Sequence, residues 1–80
     1  MAQIRYFAGA AEAAGVDEVE VDVAALTVSG LLARLGQDNA RLAEVLRVSS
    51  LLADGVRQDD PDAVLTGVAQ VDVLPPFAGG

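Results

Sequence analysis

The chemistry open to this chain is concentrated in its last residues, Pro75-Pro76-Phe77-Ala78-Gly79-Gly80. With Gly80 last, the terminal group is a free carboxylate, and neither Gly79 nor Gly80 puts a side chain beside it. Such a group has a pKa of about 3.3–3.7, so it is ionised at neutral pH and resists a nucleophile until a leaving group is supplied. Proline fixes its own φ and drives the preceding residue toward extended backbone. Pro75 and Pro76 are therefore expected to hold Leu74 and the start of the tail extended, away from the body. Beyond Ala78 the two glycines restore backbone freedom and permit close approach to another surface. The ending reads as a carboxylate on a narrow, flexible tail spanning 75–80. The competing reading is an incidental frayed end.

Elsewhere the residue types exclude more chemistry than they offer. The chain has no Cys and no His. Disulfides, thiolate metal sites and cysteine nucleophiles are thus ruled out, and so is the commonest general base. Glu18, Glu20 and Asp22 alternate with Val19, Val21 and Val23, which is a solvated strand face and not a convergent metal site. Asp59-Asp60-Pro61-Asp62 lacks the alternating ligands and closing Glu of an EF-hand. No metal is expected, and no acid–base pair for stand-alone catalysis is recognisable.

The elements that must position the tail follow from periodicity. Eighty residues make one small domain, and a hydrophobic fraction of 52% suffices for a core of mostly Ala, Val and Leu. Residues 3–8 read as a strand with Ile4 and Tyr6 on one face and Arg5 and Phe7 on the other. Residues 8–14 form a short helical turn closed by Gly15. The Val19, Val21, Val23 alternation is a second strand. Thr27 is an N-cap for a helix carrying Val28, Leu31, Leu32 and Leu35, ended by Gly36. Asp38 starts a second capped segment in which Leu42, Val45 and Leu46 share a face, its length undetermined. Leu51-Leu52-Ala53 is a strand, Asp54-Gly55 a turn before Val56-Arg57, and 59–62 a loop. Leu65-Thr66-Gly67 turns the chain into a last strand, 69–74, with Val71 and Val73 facing in. The class is α+β: a mixed sheet of four to five strands with one main helix packed across it, over a body of 1–74.

The net charge of −7 argues against nucleic acid. It suits a protein partner with a basic patch, or simply solubility. No run approaches the ~20 apolar residues of a membrane span, and the N-terminus lacks the layout of a signal peptide. A cytoplasmic protein with no membrane partner is expected.

In size and strand order the chain resembles the β-grasp, or ubiquitin-like, fold. The stretch Leu51-Leu52-Ala53-Asp54-Gly55-Val56-Arg57-Gln58-Asp59-Asp60 is similar to the corresponding turn in ubiquitin-like proteins. Tyr6-Phe7-Ala8, together with Leu74-Pro75-Pro76-Phe77-Ala78-Gly79-Gly80, resembles the MoaD-type small subunits of molybdopterin synthase, within the MoaD/ThiS sulfur-carrier family. One departure is Leu65-Thr66-Gly67-Val68-Ala69, where relatives often carry Leu-x-Asp-Gly-Asp. The resemblance implies that a MoeB-like, ATP-dependent adenylyltransferase converts Gly80 to an acyl-adenylate, and a sulfur donor then gives a thiocarboxylate. It implies that the tail enters a MoaE-like large subunit and passes sulfur to cyclic pyranopterin monophosphate. No cofactor would be held permanently, ATP being used by the activating enzyme. The catalytic residues would lie on the large subunit, and side chains at Gly79 or Gly80 would keep the tail out of both partners.

A partner surface can be argued beside the tail. With Ile4 and Tyr6 inward, Phe7 faces out; with Val71 and Val73 inward, Leu74 faces away with Asp72. First and last strands are neighbours in a β-grasp, so Phe7 and Leu74 are expected on one exposed apolar patch. The resemblance implies that matching positions contribute to the synthase interface. The alternatives are burial of Phe7 under 8–14, and Phe77 folded back on the body. At the level of function, the alternatives are a sulfur carrier for thiamine, cysteine or tRNA thiolation, a ubiquitin-like modifier forming isopeptide bonds, and a plain interaction domain.

Overall fold

The alternation along the strands resolves into a sheet with one buried face. A computed structural model describes residues 1–76. The elements are β1 (Ala2–Tyr6), α1 (Gly9–Ala14), β2 (Glu18–Val21), α2 (Val28–Leu35), α3 (Ala40–Val48), β3 (Ser50–Ala53), β4 (Val56–Gln58) and β5 (Gln70–Leu74). The strands lie in the order β2-β1-β5-β3-β4. β1 and β5 run parallel, and the other neighbours are antiparallel. This is the five-stranded mixed sheet of a β-grasp.

Register makes the core continuous across strands. Ile4 is level with Val71 and Tyr6 with Val73, while Val71 and Val73 are level with Ala53 and Leu51 on the other side. All six are buried, and Ile4, Val71 and Val73 are fully so. Ala10 and Ala13 of α1, Val28 and Leu31 of α2, and Leu42 and Leu46 of α3 join the core, together with Ala2, Val21, Val23 and Leu65. Burying a side chain of the Val or Leu type contributes about 1.5–3 kcal/mol, so these rows supply much of the drive to fold.

The helices refine the expectation of one main helix, which holds only approximately. Thr27 caps α2 as expected, its Oγ1 accepting from the Gly30 N–H at 3.1 Å. α3, however, is a full helix of nine residues, one longer than α2. It is capped by Asn39 and not Asp38. Asn39 Oδ1 accepts from the Leu42 N–H at 3.0 Å, and its Nδ2 donates to the Ala13 carbonyl at 2.8 Å. A carboxylate has acceptors only, so an Asp in that place could not make the second bond. The missing Cβ of Gly36 lets the end of α2 meet α3, since a Cβ there would stand 2.9 Å from that of Ala43.

Two strand ends differ from the periodic reading. β1 stops at Tyr6, because Ala8 takes φ 48° and turns the chain into α1. β2 stops at Val21, although Val23 beyond it stays buried. The Asp54-Gly55 turn forms as expected, with φ of 48° and 83°, the pairing that suits a two-residue hairpin. Asp54 also ties the turn to β5. Its carboxylate accepts from the N–H groups of Ala69 and Gln70 at 3.2 and 3.0 Å, and its own N–H donates to the Gln70 carbonyl at 2.8 Å.

Candidate functional site

The parallel pairing of β1 with β5 assembles the site. Tyr6 is level with Val73, so the next residues, Phe7 and Leu74, emerge side by side at one end of the sheet. The Phe7 N–H donates to the Val73 carbonyl at 3.2 Å, which continues the ladder to that point. Both side chains are half-buried. Both are thus less exposed than the open patch expected from the sequence, and Phe7 is not sealed under α1.

Part of Phe7's cover comes from a residue that periodicity does not single out. Residues two apart on a strand share a face, so Arg5 stands beside Phe7 on the outer side of the sheet, level with Asp72. Arg5 Nε donates to Asp72 Oδ1 at 2.9 Å, with 42% of the Arg5 side chain and 13% of the Asp72 side chain exposed. The Arg5 guanidinium lies 5.3 Å from the centroid of the Phe7 ring, within cation–π range. Gln70 Nε2 donates to the same Asp72 oxygen at 3.3 Å. The sequence signal is the Arg5-x-Phe7 spacing, but its meaning depends on a carboxylate 67 positions away.

Ahead of Phe7, Ala8 holds φ 48° and ψ −124°, a region that a residue with a Cβ seldom adopts. The Ala10 N–H donates back to the Phe7 carbonyl at 3.0 Å and closes the turn. A cleft of about 330 Å³ opens beside Phe7, between Ala8, Ala11 and Glu18. Under the turn, burial removes water from the Tyr6 phenol and raises its pKa above the ordinary value.

Pro75 is buried and Pro76 exposed. The chain therefore quits the core between the two prolines, and the expectation that Pro75 already stands off the body is corrected. Pro75 follows β5 over the edge of the core, where its fixed φ continues the extended line. The predicted site residues Phe77, Ala78, Gly79 and Gly80 lie outside the described residues. Among the described residues, no three carboxylates are placed to hold a cation, and no helix is long and apolar enough to cross a membrane.

Three solved structures share this fold across nearly the whole chain. SAMP1 from Haloferax volcanii is 25% identical, with a TM-score of 0.72, over 98% of this chain and 97% of its own. A putative molybdopterin converting factor, subunit 1, from Pyrococcus furiosus is 23% identical, with a TM-score of 0.75, over 95% and 97% respectively. The HVO 2177 protein of Haloferax volcanii is 28% identical, with a TM-score of 0.70, over 98% of this chain and 84% of its own. No curated protein matches the chain by sequence. The model of the ThiS family, however, matches residues 4–80, nearly the full length. The chain belongs to the ThiS family of ubiquitin-like, β-grasp carriers.

Proposed function

We propose that this chain is the sulfur-carrying small subunit of a molybdopterin synthase. Gly80 would be adenylated by a MoeB-like enzyme using ATP and then converted to a thiocarboxylate. In the active site of a MoaE-like large subunit it would donate sulfur to cyclic pyranopterin monophosphate, serving molybdenum cofactor biosynthesis. The observation that carries this reading is the β1–β5 register, which sets Phe7 beside Leu74 where the chain leaves the body. An aromatic anchor and an aliphatic neighbour at the root of a Gly-Gly tail suit a partner that must hold the body while the tail enters a channel. Activation at Gly80 also accounts for how a chain without Cys can carry sulfur.

A second reading, a ubiquitin-like modifier, is favoured by the likeness to the small archaeal modifier protein 1 of H. volcanii, 24% identical with a TM-score of 0.70. Both readings use an activated terminal glycine, and they part at the acceptor. The deciding experiment is the intact mass after incubation with ATP, a matching adenylyltransferase and a sulfur donor. A gain equal to sulfur replacing oxygen, mapped to Gly80 and absent in Gly80→Val with the fold retained by circular dichroism, is expected. Addition of the large subunit and cyclic pyranopterin monophosphate should then discharge the sulfur. Sulfur transfer surviving in a folded Gly80→Val protein overturns the assignment, and isopeptide-linked conjugates in cells would move it to the modifier.

A further inference from the structure

We propose that Arg5 is a positioning residue for docking: it braces the Phe7 ring in its binding orientation before a partner arrives. The proposal rests on the reading that the Phe7–Leu74 side receives the synthase large subunit, and it adds a residue that the reading does not contain. Arg5 is fixed at two points. Its Nε is held by Asp72 at 2.9 Å, and its guanidinium carbon lies 5.3 Å from the Phe7 centroid. Asp72 is itself steadied by Gln70. The brace therefore runs from Gln70 and Asp72 on β5, through Arg5 on β1, to the ring.

The chemistry requires arginine. A planar guanidinium can donate from Nε in its plane to a carboxylate while laying a face on an aromatic ring. A lysine ammonium is a compact point charge on a flexible stem, with no planar face to lay on the ring while it donates to Asp72. Asp72 also neutralises the cation, so that Arg5 acts on the ring without placing a net charge in an apolar contact. Ordering a side chain before association lowers the entropy lost on binding. Loss of the brace should weaken binding about 2–10-fold, through faster dissociation.

The test is calorimetric binding to the synthase large subunit of the same organism, with Arg5→Met, Arg5→Lys, Phe7→Leu and the Arg5→Met/Phe7→Leu double variant. Thermal midpoints are recorded alongside. If Arg5 acts through Phe7, Arg5→Met weakens binding, Arg5→Lys does not restore it, and Arg5→Met adds nothing once Phe7 is leucine. An undiminished loss in the Phe7→Leu background shows a direct contact and overturns the brace, as does full binding by Arg5→Lys. In the isolated chain, NMR should show the Arg5 Hδ and Hε shifted upfield by the ring, the shift vanishing in Phe7→Leu and shrinking in Asp72→Asn. Failure of the unaltered chain to bind refutes the synthase reading alone. The brace is then judged by those NMR shifts, and their absence overturns it.

Discussion

Ala8 carries a conflict between residue and conformation that nothing in its neighbourhood of sequence announces. At φ 48° and ψ −124° its Cβ sits where glycine would be at ease, and such a conformation costs about 1–3 kcal/mol. Ala8→Gly relieves that strain, while the freer unfolded chain takes back about 0.4–1 kcal/mol. The expected balance is a gain of about 1 kcal/mol, read as a higher urea midpoint with an unchanged m-value. A lower midpoint would show that the turn is not strained in solution. At this scale the sequence is legible where alternation alone decides. Ile4 and Tyr6 inward put Phe7 at the margin, and Val71 and Val73 do the same for Leu74. It is not legible at Arg5, whose role is set by lateral pairing with Asp72 and leaves no local period to read.

The elements show the same division between local and long-range information. Strands and turns are marked by short patterns: Asp54-Gly55 for the hairpin, Thr27 for the start of α2, Gly15 for the end of α1. Local pattern places the start of α3 one residue early, because Asp38 and Asn39 are both good caps. The bond from Asn39 Nδ2 to the Ala13 carbonyl decides between them, and it joins α3 to α1 across 26 positions. Asn39→Ala removes cap and link together and should cost about 1–2 kcal/mol. Asn39→Asp keeps the cap acceptor and loses only the donor, so it should fall between Asn39→Ala and the unaltered chain in chemical denaturation. Equal losses for the two variants would assign the whole effect to the link.

At the scale of the molecule, one titration reports on the core. Tyr6 is the only tyrosine, and burial raises its pKa in the folded chain. The folded state then holds the phenolic proton more tightly than the unfolded state does. This contribution is complete below the unfolded value of about 10 and is lost as pH rises through the folded value. Stability should therefore decline as pH rises from about 10 toward the folded value, and the decline should shrink in Tyr6→Phe. An onset of tyrosinate absorbance at the ordinary pH, with the chain still folded, would refute the burial effect. The placement of β5 has a different kind of consequence. It is flanked by β1 on one side and β3 on the other. A pull on the chain beyond Leu74, directed along the strand, loads both hydrogen-bond ladders in shear, and they must yield together instead of opening one bond at a time. Resistance to such a pull is set by the unfolding rate under load. β5 is thus mechanically clamped, and a load applied beyond Leu74 is borne by both neighbouring strands before the body can unravel.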